Sequence, residues 1–501
     1  MRPSSRRALP SVLLSVIVAL LGCKSPSLRE PGALPPAATS GSTPKTEPAL
    51  RPDTPDAEFR AHPPAVGPRR AAKPPPVVEG RLKNGARLLI VELHDVPTVS
   101  FQVVLRWPER TAALSVPWLT EILRARDVEG ERFTSRVSRV SGSLPHVRLT
   151  RDSLHIATNT TPDALDRVFA TLGSVLRPLD PKEVDAFGGV PPRAAAIEEL
   201  ANDRLFTGES SYRARLTAPV TTRAVRPSSA DVVHLLSASA TGANLVFVAV
   251  GDTTVGELVP RLEAAFGAFP AGTLARPGAS AFTPGKLVVL DTPALGDRAQ
   301  VAVVAAAPPA GHKDFPAVQI ASHVLNERLL SRRDFSSRGY SRLEASGQES
   351  LWLVGAAVSA PAAKRGAELL LAAVRDLDAV TVDEVEQAKR PWIEWTETML
   401  ERKTDIAWSV AHAAVQGLSF GEMAKLHDAF VALTAKDVAE VARARFDRRA
   451  VSLAFAGAYA PMTKLDKLGF GAPAVFVASQ GILEKIDLTE GSAVLGRLQA
   501  R

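Results

Sequence analysis

Past residue 76 the chain alternates between short apolar runs and longer segments whose apolar positions recur three and four apart, the two periodicities that separate strands from amphipathic helices. After Asn84-Gly85 the run 86–92 predicts a strand, and 96–105 predicts a second after a short turn. Ser115-Val-Pro-Trp-Leu-Thr-Glu-Ile-Leu-Arg124 predicts a helix. Leu119, Ile122 and Leu123 give it an apolar stripe, and Pro117 falls in the first turn, where a missing N–H costs nothing. Segment 147–158 reads as a central strand or hairpin, and 161–176 and 181–200 as helices. Ser228 then opens another helix that leads to 244–251, a buried strand ending in glycine.

The same programme runs a second time. Thr434 opens a helix that leads to 451–457, again a strand ending in glycine. Asp231 and Asp437 are separated by 206 residues, and so are Gly251 and Gly457. One offset shared by a helix start and a strand end marks an internal repeat. Strand 300–306 before a helix from about Pro316 to 330 answers strand 99–105 before the Pro117 helix, and helices 360–377 and 381–400 take the parts of 161–176 and 181–200. This order predicts an α+β fold of two homologous domains, each a largely antiparallel sheet packed with helices on one face. The expected domains are 77–270 and 285–474, joined by a Pro/Gly/Ala-rich linker at 271–284, with a tail at 475–501 that has no assigned role.

Composition changes the picture only ahead of residue 77. Hydrophobic residues are 46% and charged residues 23% of the 501, the balance of a globular chain. Residues 1–22 carry Arg2, Arg6 and Arg7, then the apolar stretch 8–21, then Leu20-Leu21-Gly22-Cys23. That pattern predicts a lipoprotein signal peptide, with the sole cysteine, Cys23, as the lipidated amino terminus. Lipidation would anchor the chain to a membrane, expected to be the outer membrane of a Gram-negative envelope on its periplasmic side. Residues 23–76 are expected to be a disordered tether, since fourteen prolines fall between positions 24 and 79. The formal net charge of +7 belongs mostly to these two segments. The body is near neutral and shows no basic stripe with interleaved aromatics, which argues against nucleic acid.

The strand, turn, strand and helix that open the repeat resemble the start of insulinase/pitrilysin-type metallopeptidases. Over 77–474 the plan resembles one subunit of their two-chain bacterial and mitochondrial-processing-peptidase-like forms. In that family the first helix carries His-x-x-Glu-His, two imidazoles on one face for zinc and a glutamate that polarises water. Laid on this chain the motif falls on Trp118, Leu119, Thr120, Glu121 and Ile122, so only the glutamate matches. The resemblance places the third ligand near Glu198 and Glu199; carboxylates without imidazoles suit hard cations better than zinc. His323 and Glu327, at i and i+4, are the remaining metal-capable pair. The expectation is no metal and no catalytic residue in the isolated chain. No nucleophile elbow or P-loop is present.

The resemblance also implies a role for Arg333-Asp-Phe-Ser-Ser-Arg-Gly-Tyr340. An arginine and a tyrosine seven residues apart reach toward a zinc site in the family and hold substrate backbone and oxyanion. Arg333 and Tyr340 have that spacing, although Asp334 stands where glutamate is usual and Gly339 precedes the tyrosine. The expected function is therefore that of a catalytically incomplete, lipid-anchored subunit. Its partner chain would carry His-x-x-Glu-His and the zinc, and the pair would cleave peptides with Arg333 and Tyr340 acting in trans. The alternative is a non-proteolytic scaffold or peptide-binding protein on the same fold.

Overall fold

The computed structural model describes residues 73–107, 115–150, 152–188, 196–207, 226–274, 281–345, 347, 350–479 and 482–486. All fall in one compact unit, Arg70–Arg501. The signal segment, Cys23 and the tether up to residue 72 lie outside the described residues.

Two large sheets form. The first orders its strands Val78–Arg81, Arg87–Glu92, Leu245–Gly251, Val99–Arg106, Ser153–Thr160 and His146–Leu149. The second orders Tyr340–Glu344, Ser350–Ser359, Arg298–Ala307, Val451–Gly457, Leu287–Asp291, Ala474–Ser479 and Ile482–Lys485. Most neighbours are antiparallel. The parallel exceptions are Arg87–Glu92 on Leu245–Gly251 in the first sheet, and Leu287–Asp291 on both Val451–Gly457 and Ala474–Ser479 in the second. The fold is α+β, as the order of periodicities implies.

The repeat holds in hydrogen-bond register. Gly251 stands opposite Glu92 on one side and Val99 on the other; Gly457 stands opposite Asp291 and Ala299 in the same way. Both glycines have positive φ, +143° and +150°, and a Cβ on Gly251 would lie 2.0 Å from the Thr98 carbonyl oxygen. Only glycine lets the central strand leave the sheet there. The shared aspartates are third residues of capped helices: Ser228 Oγ accepts from the Asp231 amide (3.1 Å) and Thr434 Oγ1 from the Asp437 amide (3.2 Å). Leu245–Gly251 and Val451–Gly457 are buried along their whole length because both faces of each sheet are covered.

One face of each sheet takes helices from its own half. Ser115–Ala125, Leu165–Val175, Ser229–Ser239 and Val255–Phe266 enclose the first core, with Phe101, Phe169, Phe247 and Phe266 at its centre. Phe315–Leu330, Ala363–Arg375, Val382–Thr398 and Ala435–Arg445 enclose the second around Trp352 and Phe455. The opposite faces are covered by exchange. Ala196–Arg204, from the first half, packs Ile197, Leu200 and Ala201 on Val288, Leu290, Ala302 and Val304 of the second sheet. Lys403–Val415, from the second half, packs Ile406, Ala407, Val410 and Ala411 on Leu89, Val91, Val246 and Val248 of the first. The counterpart of Ala196–Arg204 is therefore Lys403–Val415, where the sequence suggested 381–400.

Two further expectations change. The expected helix 181–200 gives way to two, Pro181–Ala186 and Ala196–Arg204; the first ends at Phe187, whose backbone is extended, and the sequence that follows carries the helix breakers Gly188, Gly189, Pro191 and Pro192. The expected domain end at 474 falls on the first residue of a strand. Ala474–Ser479 pairs in parallel with Leu287–Asp291, and Ile482–Lys485 pairs with it in turn, so the start of the expected tail belongs to the second sheet. The Ala281–Phe282 end of the expected linker pairs with Phe206–Thr207.

Candidate functional site

The helix Ser115–Ala125 begins at a buried Ser115 and presents Val116, Trp118, Leu119, Ile122 and Leu123 to the first core. Trp118 is 3% exposed, meets Phe187 edge to face with ring centroids 6.2 Å apart, and has the Arg226 guanidinium 5.0 Å from its ring centre. Its Nε1–H is buried without a hydrogen-bond partner among the described residues. Ile122, also 3% exposed, lies one turn on in the same apolar cluster. The positions that zinc-binding histidines would hold are thus occupied by packing residues.

The carboxylates go elsewhere. Glu121 is drawn to Arg124 on its own helix, and Arg124 also donates to the Val147 carbonyl. Glu198 forms an ion pair with Arg342 of the second half at 2.8 Å, and Arg342 also contacts Glu344. Glu199 lies outside the described side chains. His323 is half-buried and Glu327 exposed on Phe315–Leu330. Among the described residues no group of three or more His, Cys, Asp or Glu side chains is placed to hold a metal ion.

The Arg333 and Tyr340 pair divides. Arg333 is exposed in the loop after Phe315–Leu330, whereas Tyr340 begins a strand and lies across Gly355, its direct cross-strand partner. A Cβ on Gly355 would come within 2.6 Å of the Tyr340 hydroxyl, so the missing side chain is what seats the ring. The ring packs with the cluster under Ala196–Arg204. Burial, with the Glu198 carboxylate adding to it, pushes the phenol up to about 12, so it remains a protonated hydrogen-bond donor throughout the neutral range. Tyr340 therefore borders Glu198 of its own chain.

Sequence reading missed the residues that tie the halves together at this place. By register, Arg148 holds in the first sheet the position Arg342 holds in the second: Arg148 faces His155, which faces Val104, and Arg342 faces Leu353, which faces Val304. Each arginine meets the exchanged helix, Arg342 through Glu198 and Arg148 over the Trp408 ring at 4.2 Å. The 206-residue offset does not expose this equivalence, because Arg148 and Arg342 are only 194 residues apart.

Residues 231–391 match the family model described as Peptidase M16 inactive domain. No curated protein matches the chain. Among solved structures, the peptidase M16 inactive domain from Pseudomonas fluorescens aligns at 14% identity with a TM-score of 0.61, over 76% of this chain and 98% of its own. A chain of complex III2 from Candida albicans aligns at 15% and 0.57, over 79% and 100%. The first half of the periplasmic protease PqqL from Escherichia coli aligns at 13% and 0.54, over 79% and 95%. Residues 231–391 are thus similar to the peptidase M16 inactive domain, the chain shares its fold with these structures, and Trp118 and Ile122 stand where the resemblance would put the two histidines of His-x-x-Glu-His.

Proposed function

We propose that the chain is the metal-free subunit of a two-chain insulinase-like peptidase, held at a membrane through lipidated Cys23. Its partner carries the His-x-x-Glu-His motif and the zinc, and together they enclose and cleave peptides. The observation that carries this reading is the burial of Trp118 and Ile122: the fold is kept, while the motif positions have been given over to packing. Likeness to a chain that sits in a multi-subunit complex supports an assembly role. Arg333, exposed in the loop after Phe315–Leu330, is the group available to substrate backbone, and the protonated Tyr340, seven residues on, is a second donor.

Co-expression with a neighbouring chain that has the intact motif tests the proposal. Arg333→Ala and Tyr340→Phe should each lower turnover by about a hundredfold without weakening assembly, and Arg338→Ala should matter little. Equal cleavage with both residues replaced would make the pair structural. The contact of Tyr340 with its own chain's cluster would then favour the second reading, a scaffold or peptide-binding protein. Cys23→Ala should release the chain from membranes.

A further inference from the structure

We propose that the seam between the exchanged helix Lys403–Val415 and the first sheet is an acid-sensitive latch, closed while His155 and His412 are neutral and opened by their protonation. His155 lies on Ser153–Thr160 and is 1% exposed; its Nε2 meets Ser153 Oγ at 2.9 Å and its Nδ1 is buried without a partner among the described residues. Its ring sits 4.6 Å from Trp408, and His412 stacks on the same indole at 6.0 Å with an interplanar angle of 16°. Gln416 Nε2 stands 2.9 Å from His412 Nε2. An amide N–H donates there, so the imidazole nitrogen accepts, which only the neutral ring can do.

The charged groups around this stack offer no compensation for a proton. From the outer strand come His146 and Arg148, the latter already over Trp408. Arg106, on Val99–Arg106, donates to the Ala414 carbonyl and has Arg87 and Asp152 as charged neighbours. On the helix itself Lys403 pairs with Asp95 at 3.0 Å and Asp405 with Arg402 at 2.6 Å. The charges that bear on His155 are those of His412 and Arg148, and the one that bears on His412 is Arg148. Two imidazolium ions would therefore join an arginine in a seam where His155 is buried and His412 half-buried, with no carboxylate among the described residues set against them.

Burial, with Arg148 beside it, lowers His155 to about 3 and His412 to about 4 from an ordinary 6.5. In an open seam both rings are hydrated and titrate near 6.5. The folded values being lower, closure is at full strength above about pH 6.5 and is lost as pH falls toward 4. Between pH 7.5 and 4.5 each ring shifts the closed-to-open ratio by roughly 50- to 100-fold.

Backbone hydrogen exchange of the full chain, corrected for intrinsic rates, reads the latch. Protection across Lys403–Val415 should fall at least about fiftyfold at pH 4.5, while Ala363–Arg375 in the second core keeps its protection. His155→Gln with His412→Gln should hold the helix closed at both pH values. Unchanged protection in the native chain, the same loss in the double variant, or equal loss in both helices would overturn the proposal. If the double variant does not fold, NMR titration of the native imidazoles decides: both must titrate well below 6.5 at the onset of opening, and either one titrating near 6.5 in the closed protein would overturn it.

Discussion

Replacing Trp118 distinguishes a position given over to packing from an open, vacated cleft. Its indole is 97% buried, edge to face with Phe187 and under Arg226, so Trp118→Ala should cost about 3–5 kcal/mol. Trp118→Phe is the sharper case. It keeps most of the ring contact and loses no hydrogen bond seen among the described residues, where Nε1 has no partner. It also removes a buried, unsatisfied N–H, an omission worth about 1–3 kcal/mol that offsets the smaller ring. The phenylalanine variant should therefore lie within about 1 kcal/mol of the native chain. A double-mutant cycle with Phe187→Ala should return a coupling of about 0.5–1.5 kcal/mol for the aromatic pair. Urea unfolding followed by near-ultraviolet circular dichroism measures all of these. If Trp118→Ala costs under 1 kcal/mol, the ring borders open space and the packing argument fails; if Phe costs as much as Ala, Nε1 is bonded.

Three further outcomes are expected. Gly251→Ala should destabilise by about 3 kcal/mol or more, since its Cβ would meet the Thr98 backbone at 2.0 Å; Gly457→Ala should cost less, because its nearest backbone atom, the Arg298 carbonyl oxygen, lies at 2.7 Å and its next neighbour, at 2.9 Å, is the movable Met462 Cε; thermal unfolding compares them. Arg328 grips Glu384 with two bonds of 2.6 and 2.7 Å, and this bonding, with Thr381, lowers the carboxyl to about 2. That contribution is present above pH 4.5 and lost as pH falls through 2, so Glu384→Gln should lower the urea midpoint at pH 7 and converge with the native chain toward pH 2. Lys389 is 4% exposed and donates to the Val431 and Leu433 carbonyls at the end of Phe420–Ala432. Lys389→Met should strand both, cost about 1–3 kcal/mol and raise hydrogen exchange in the last turn of that helix.

The sequence by itself determined the elements and their duplication. Ser228 and Thr434 with Asp231 and Asp437 are legible because a cap acts within three residues, and Gly251 and Gly457 because a central strand that must turn out of its sheet tolerates no side chain. The same local logic exposed the motif positions: Trp118 and Ile122 cannot ligate zinc whatever surrounds them. Only the tertiary structure decided where the long helices went. Ala196–Arg204 and Lys403–Val415 each close over the other half's sheet instead of their own. It likewise decided that Glu198 answers Arg342, that Tyr340 rests on Gly355, and that His155, Trp408 and His412 stack in one seam. Periodicity is a property of neighbours along the chain, whereas these contacts join residues more than a hundred positions apart or depend on a strand register that no local pattern encodes.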